Sequence, residues 1–447
     1  MTPPELIPPV TYPPGQETQF VSGGTLLPIS DYVKYMPNFQ ARVKDWDLQP
    51  AIDNLKQADG KYYMLPGLYQ SPPQPQYSIA IRQDAWEKAG IKSDPKTWDD
   101  LKADLEKLKS ANPGVWPMSD RWSTTNNNPL GATLQLAAPN FGTVAGWGGF
   151  GNGLWYDQDS KKYEYAASTD GYKDLVSYFA SLVKDGLLDP PESLTQDDDT
   201  AKQKFASGQS LAISGNTQEI TSYAKTFTDA GNTEAKVHLI RVPAGPAGDN
   251  VASGSRTASG FMISSKAAEQ PNFLALLQFA DWLYYSDHGL EFAKYGVEGT
   301  TFTNDGGKRA LAADVDWNGV NPTGTKKLNA DFGFSNGVWM LANGSTDELI
   351  QGLNTEASNA FVSAMADKKE LPLPPAAPLD EMQQEQITLL QAALNDSVTQ
   401  NTAAFILGQR PMSDWDKWQT ELKGSTSTST STRSTRRWQP SELTPPP

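Results

Sequence analysis

The clearest apolar pattern along the chain predicts a long amphipathic helix. Six apolar side chains recur at helical spacing and end just before Gly186: Tyr172, Leu175, Val176, Phe179, Leu182 and Val183. A second helix is predicted after Thr97, which forms a capping-box pair with Asp100. Leucines at positions 101, 105 and 108 then lie on one face of that helix.

Elsewhere in the chain, short runs in which apolar residues alternate with polar ones, or follow one another directly, predict strands. These runs are Tyr77–Ile81, Ser210–Ser214, Lys236–Val242 and Gly260–Ser264. Further helices are predicted at Phe273–Tyr285, at about Leu379–Thr399 and from Ser413 onward. Strands that alternate with helices predict an α/β architecture. At 447 residues, we expect two or three domains of about 150 residues each.

Composition excludes several classes of function. The chain has 37 basic and 52 acidic side chains, a net charge of −15, which disfavours a nucleic-acid partner. It contains no cysteine, so disulfides, thiolate metal sites and cysteine nucleophiles are excluded. Its two histidines, His238 and His288, are too few for a histidine-rich metal site. No run reaches the ~18 apolar residues of a membrane span.

Two local motifs match functional patterns as text, but ordinary structural roles explain them better. Gly146–Gly151 reads G-x-G-x-x-G, yet no helix start follows, which disfavours a dinucleotide site. We interpret it as a glycine-rich loop that presents tryptophan. Asp197–Asp199 is expected to mark a solvated loop or a helix start rather than a calcium site.

Tryptophans in loop-like segments are the most informative feature. Six of them are flanked by Gly, Pro, Asn, Asp, Gln or Arg: Trp116, Trp122, Trp147, Trp155, Trp317 and Trp339. An indole face packs well against the C–H groups of a sugar, and planar polar side chains match its hydroxyls. This pattern favours a carbohydrate site. The alternative is that half or more of these rings fill a core or a domain interface.

The order of short segments between about Leu27 and Lys423 resembles the extracellular solute-binding proteins (family 1) of carbohydrate ABC transporters. It is most similar to the oligosaccharide-binding lipoproteins among them. The segments that carry the resemblance are Leu27–Pro37, Asp59–Pro66, Ile81–Gly90, Thr97–Leu101, Val183–Asp189, Phe205–Gly208, Asp281–Tyr284, Tyr295–Gly299 and Ser413–Trp418.

The resemblance implies an α/β, two-lobe periplasmic-binding-protein-like (type II) fold with a hinge and an interlobe cleft. Lobe one is expected at 16–120 plus 262–335, and lobe two at 121–261 plus 336–424. Residues 1–15 are expected to form a disordered proline-rich arm and residues 425–447 a disordered Ser/Thr tail. Relatives begin with a lipoprotein signal and further elements of lobe one, so we expect lobe one to be incomplete.

The resemblance also implies a non-catalytic protein that binds an oligosaccharide and delivers it to a membrane permease. We expect it to be a monomer outside the cell, attached to the envelope, without a cofactor. Some relatives carry a calcium-binding loop after the helix that matches 97–110. Here Ser110–Val115 has no carboxylate, so no metal is expected there.

The expected ligand-binding residues follow from the resemblance and from strand ends. Trp339 is expected to be a stacking platform, and Trp339→Ala to weaken sugar binding at least tenfold, about 1.4 kcal/mol. The other candidates are Trp122, Trp147, Trp155, Tyr69, Arg121, Asn216, Gln218, Glu219 and Arg256. The arginines would bind hydroxyls or an acidic sugar.

Two other functions stay open from the sequence alone. One is a secreted glycan hydrolase with a carboxylate pair in a tryptophan-lined cleft. The other is a peptide-binding receptor of the same fold.

Overall fold

In the computed structural model, the chain divides into two compact units. One comprises Met1–Gln74 and Ser253–Asn359, and the other comprises Pro75–Ala252 and Ala360–Pro447. The structure describes residues 6–7, 17–21, 23–57, 59–122, 130–149, 153–189, 196–335, 344–374 and 381–430.

The strands of the described residues are short and spread over the whole chain. They are β1 Leu6–Ile7, β2 Met64–Tyr69, β3 Tyr77–Arg82, β4 Leu154–Asp157, β5 Lys162–Tyr165, β6 Ala212–Asn216, β7 Val237–Leu239, β8 Asn250–Ala252, β9 Thr257–Ile263, β10 Phe302–Asp305, β11 Lys308–Leu311, β12 Val315–Asp316, β13 Lys326–Lys327, β14 Gly344–Ser345 and β15 Lys369–Leu371.

The α-helices of the described residues alternate with these strands. They are α1 Thr18–Val21, α2 Pro37–Asp45, α3 Gln49–Asp53, α4 Gln83–Lys88, α5 Trp98–Ala111, α6 Gly131–Phe141, α7 Asp170–Lys184, α8 Asp198–Ser207, α9 Glu219–Asp229, α10 Phe273–Tyr285, α11 Asp287–Tyr295, α12 Asp347–Gln351, α13 Glu356–Met365, α14 Glu381–Ile406 and α15 Trp415–Thr430. None of them combines the length and apolar character that a bilayer crossing requires.

The first unit is built on a four-stranded sheet in the order β1-β9-β2-β14. Strands β2 and β9 are antiparallel, and β14 lies parallel to β2. Helix α10 packs its apolar face into the core of this unit. The buried carboxylate of Asp281 on α10 accepts hydrogen bonds from the backbone N–H groups of Asn38 and Phe39, at 3.0 and 2.8 Å. It thereby caps the start of α2.

The second unit is built on the antiparallel sheet β6-β3-β7. The stripe predicted for α7 is confirmed, since Leu175, Val176, Phe179 and Leu182 are fully buried in the core of this unit. The capping box predicted for Thr97 and Asp100 is also confirmed, at 3.0 Å in both directions.

The boundaries between the units differ from the expected lobe boundaries at 120/121, 261/262 and 335/336. The chain passes from one unit to the other after Gln74, Ala252 and Asn359. Residues 75–120 belong with the second unit because β3 pairs with β6 and β7. Residues 253–261 belong with the first unit because β9 pairs with β2.

Candidate functional site

Three aromatic rings of the second unit meet at one place. The ring centroid of Tyr77 lies 5.9 Å from that of Trp122 and 5.8 Å from that of Trp147, and both contacts are edge-to-face. The two indoles lie 5.7 Å apart. All three side chains are partly exposed. We call this group the three-ring cluster, and its geometry is typical of favourable aromatic pairs.

Sheet register brings a polar side chain to the edge of the three-ring cluster. Tyr77 opens β3 and pairs directly with Asn216, the last residue of β6. Directly opposed residues of an antiparallel pair share one face of the sheet. The Asn216 Oδ1 accepts hydrogen bonds from the backbone N–H groups of Gln218 and Glu219, both at 3.0 Å. Asn216 therefore also fixes the start of α9, while Gln218 is exposed.

Arg121 lies beneath Trp122 and is held by internal contacts. Its guanidinium carbon is 4.6 Å from the Trp122 ring centroid, and its Nη1 is 2.7 Å from a carboxylate oxygen of Glu219. Nη1 also donates to the Tyr223 hydroxyl at 3.2 Å. Burial opposes the charged form, but Tyr223 and Glu219 outweigh it and raise the pKa of Arg121. Arg121 is only 4% exposed, so its contacts are with the protein.

Trp155, another candidate of the second unit, lies away from the three-ring cluster. Trp155 lies on β4 opposite Glu164 and packs, partly buried, against the core rather than within the three-ring cluster. Trp339, the expected stacking platform, lies outside the described residues. Trp317, in the first unit, is 7% exposed and fills the core, as the alternative interpretation of the loop tryptophans proposed.

Two candidates of the first unit, Tyr69 and Arg256, contact each other through the backbone. The Arg256 guanidinium donates to the carbonyl oxygens of Trp46 and Gln70, at 2.7 and 2.5 Å, and to that of Tyr69 at 3.3 Å. Burial raises the pKa of the Tyr69 hydroxyl. Arg256 therefore ties three carbonyl groups together.

Two residues of this site, Tyr77 and Tyr223, were not predicted from the sequence. Tyr77 was interpreted only as the first residue of an alternating strand, and Tyr223 carried no functional signal. A usable signal for Tyr77 was its position two residues after Pro75, the last proline of the segment 72–75, where a strand can begin.

The acidic run behaves as a helix start, as expected. Asp197 accepts a hydrogen bond from the Thr200 backbone N–H at 2.7 Å and caps α8. Within the part of the chain that the structure describes, no three His, Asp or Glu side chains gather as a metal site requires. The absence of calcium at Ser110–Val115 stays a prediction.

A family model for bacterial extracellular solute-binding proteins matches residues 3–287. The chain belongs to this family. Its members bind solutes and are not enzymes, which confirms the expectation of a non-catalytic protein and removes the hydrolase alternative. The family resemblance found in the sequence is likewise confirmed.

Several solved structures of solute-binding proteins have the same fold as this chain. One is a human-milk-oligosaccharide (HMO) binding, ABC-transporter associated solute-binding protein of Bifidobacterium longum infantis. It is 20% identical, the match covers 95% of this chain and 85% of the other, and the TM-score is 0.70. Another is the alginate-binding protein AlgQ2, with 18% identity, 91% and 80% coverage and a TM-score of 0.67. A third is FusA of S. pneumoniae in complex with kestose, with 18% identity, 96% and 86% coverage and a TM-score of 0.66. These likenesses confirm the predicted α/β fold of solute-binding proteins.

A curated relative matches only part of the chain. A protein of Brucella abortus, named as a binding protein, is 36% identical over 91 residues. The match spans 20% of this chain and 19% of the relative's own length. It therefore adds nothing about the solute.

Proposed function

We propose that this solute-binding protein binds an oligosaccharide and delivers it to the permease of an ABC transporter for import. The observation that carries the proposal is the three-ring cluster of Tyr77, Trp122 and Trp147, with Asn216 beside it. Partly exposed aromatic faces next to an amide suit a ligand whose ring has apolar C–H faces and a rim of hydroxyls.

The acidic side chains around Arg121 indicate that its guanidinium does not bind an anionic ligand directly. Its Nη1 contacts Glu219, and its Nε lies 3.7 Å from a carboxylate oxygen of Asp198. Two acidic partners balance the single guanidinium. Aromatic stacking and neutral hydrogen bonds are therefore the proposed source of affinity at this cluster.

The names of the structural neighbours agree with a sugar ligand. They describe proteins that bind human milk oligosaccharides, alginate and kestose, two of them named as ABC-transporter proteins. By the same likeness we propose a monomeric protein at the cell envelope. Closure of two lobes about the ligand stays a prediction.

A glycan array followed by calorimetry tests the proposal. We expect the full chain to bind a defined set of oligosaccharides, with no new reducing ends after long incubation. Trp122→Ala and Trp147→Ala should each weaken binding at least tenfold, about 1.4 kcal/mol. Trp282→Ala is the matched control, because that indole is 39% exposed on α10 of the first unit. Binding that both cluster variants retain at full strength would contradict the proposed site.

A further inference from the structure

The solvent-facing side of helix α10, in the first unit, is apolar and uncharged. Leu274, Phe279 and Trp282 are 49%, 51% and 39% exposed, and they are three of the six large apolar side chains that the described residues expose. Ala275 and Gln278 are exposed beside them. We call these five residues the outer face of α10. A contiguous group of exposed apolar side chains marks an interaction surface, whereas isolated ones need no explanation.

Helical spacing separates the outer face from the side of α10 that the fold uses. Positions 274, 275, 278, 279 and 282 recur at intervals that place them on one side of a helix. On the opposite side, Phe273, Leu277, Ala280 and Tyr284 are buried in the core of the first unit. Burial in the unit therefore accounts for one side of α10 and leaves the apolar character of the other side unexplained.

The aromatic rings of the outer face are held in position by their neighbours. The ring centroid of Trp282 lies 6.1 Å from that of Phe279 and 6.2 Å from that of Phe292 on α11. Phe292 in turn packs edge-to-face against Phe334, at 5.2 Å, and Phe334 belongs to the core. This row of rings runs from the core to the surface. Binding through it therefore costs little side-chain entropy.

Two exposed lysines border the start of α10. Lys34 lies on a 3-10 turn whose neighbour Tyr32 packs edge-to-face against Phe273 at 5.0 Å. Lys266 lies on the 3-10 turn that leads into α10. Neither lysine forms an ion pair among the residues that the structure describes. These two turns carry a single carboxylate, that of Glu269, so their ammonium groups outnumber it.

Acidic side chains on the adjoining elements already have partners. Asp31 contacts Lys61 at 2.7 Å, and Asp287, at the start of α11, contacts Arg42 at 2.5 Å. Asp281 of α10 is buried and caps α2. The chain as a whole carries a net charge of −15, but the surroundings of the outer face do not share this excess of negative charge.

We infer that the outer face of α10 docks onto the surface of a phospholipid bilayer. A surface helix with Trp, Phe and Leu on its exposed side lies in the plane of the membrane interface, where the rings reach the headgroup level. Lysines at its border attract the phosphates of anionic lipids.

Two further observations favour a lipid surface. With 13 residues, α10 is too short to cross a bilayer, which suits docking at the interface. A sugar-binding platform needs several hydrogen-bonding side chains beside its rings, and the outer face has only Gln278. The inference is independent of the sugar ligand proposed above.

Co-sedimentation of the full chain with lipid vesicles tests the inference. The probes are vesicles of phosphatidylcholine, with and without phosphatidylglycerol. We expect the wild type to bind both, and the double variant Phe279→Ala/Trp282→Ala to bind both at least tenfold more weakly, because it removes apolar area from the contact. Lys34→Glu and Lys266→Glu should each weaken binding about fivefold, and only to the vesicles that contain phosphatidylglycerol.

Matched controls are available for both kinds of variant. Leu373→Ala removes an exposed apolar side chain of the second unit, and Lys308→Glu reverses an exposed lysine on β11. Neither should change vesicle binding. If the double variant binds vesicles as the wild type does, or if Leu373→Ala weakens binding equally, the inference is overturned.

Brominated lipids, which quench nearby indoles, provide a second readout. Trp282→Phe should keep vesicle binding and lose much of the quenching, whereas the sugar-site variant Trp122→Ala should keep both. Full quenching in Trp282→Phe would show that another surface contacts the lipid. Binding only to vesicles that also contain an ABC permease would identify a protein partner, and would overturn the inference as well. If the wild type binds saccharides but no vesicles, the proposed function stands and this inference fails.

Discussion

The guanidinium carbon of Arg121 lies 4.6 Å from the ring centroid of the next residue, Trp122. Trp122 has φ of 63°, a left-handed backbone that costs a bulky residue about 1–2 kcal/mol. A cation stacked on an indole contributes a similar amount when it is shielded from water. Because Glu219 and Tyr223 hold the guanidinium, we infer that Arg121 positions the ring for the ligand.

Arg121→Met should separate this positioning role from ligand contact. The variant leaves Glu219, whose side chain is 21% exposed, without its counter-charge, so the free energy of unfolding should fall by about 2–3 kcal/mol. Sugar affinity should fall as well, and the tryptophan emission maximum should move as Trp122 loses its support. Urea unfolding, calorimetry and fluorescence measure the three effects.

A double-mutant cycle with Glu219→Gln provides the control for that experiment. We expect the double variant to be less destabilised than the sum of the single variants, with a coupling of about 1–2 kcal/mol. Additive single effects together with an unchanged emission maximum would contradict the positioning role.

Gly131 makes room for the indole of Trp147. A Cβ atom at Gly131 would lie 2.3 Å from the Trp147 Nε1, so Gly131→Ala should push the ring out of the three-ring cluster. We expect sugar affinity to fall at least tenfold, about 1.4 kcal/mol, and the tryptophan emission to change. Gly424→Ala is the matched control, because nothing lies within 4 Å of the added methyl group. Equal affinities for both variants would show that the ring is not displaced.

Local patterns predicted the elements of the fold, but long-range register decided the site. The stripe on α7 and the capping box at Thr97 depend on residues a few positions apart, so the sequence reveals them. The contact of Tyr77 with Trp122 and Trp147, and its pairing with Asn216, join distant segments through the alignment of β3 and β6. No local pattern encodes that alignment.

The same limit explains why the sequence did not reveal the internal contacts of Arg121. An arginine beside a loop tryptophan has the chemistry of a sugar-binding residue, and only the packing of α9 shows that Glu219 and Tyr223 occupy it. The units divide at other positions than the expected lobes for a related reason, because residues 75–120 are joined to their unit by the pairing of β3 with β6 and β7.

Asp249 should make the stability of the second unit sensitive to acid. Burial opposes its ionisation, but hydrogen bonds from Arg241 and Lys368 outweigh it and lower the pKa of Asp249. The folded state then binds the proton less tightly than the unfolded state. Its stabilising contribution is therefore present above the unfolded pKa of about 4 and is lost as pH falls through the lower folded value.

Asp249→Asn tests this pH dependence. At neutral pH the variant leaves the fully buried side chain of Lys368 without its carboxylate, so the free energy of unfolding should fall by about 2 kcal/mol or more. In urea unfolding, the difference in free energy of unfolding between this variant and the wild type should become smaller as pH falls below about 4. Asp367→Asn is the control, since Asp367 also contacts Arg241 but is 80% exposed, so its removal should change the free energy of unfolding little. A free-energy difference that stays constant with pH would contradict the proposed role of Asp249 in the acid sensitivity.

Lys161 offers a site where glycine should stabilise the protein. It lies in the turn between β4 and β5 with φ of 58°, is exposed, and donates its backbone N–H to the Asp157 carbonyl oxygen at 3.0 Å. Lys161→Gly removes the left-handed strain of about 1–2 kcal/mol but adds flexibility to the unfolded chain. We expect a net gain of about 0.5–1 kcal/mol in thermal and urea unfolding. The neighbouring Lys162→Gly, within β5, should destabilise the hairpin instead, and a loss of stability in both variants would show that Lys161 is not strained.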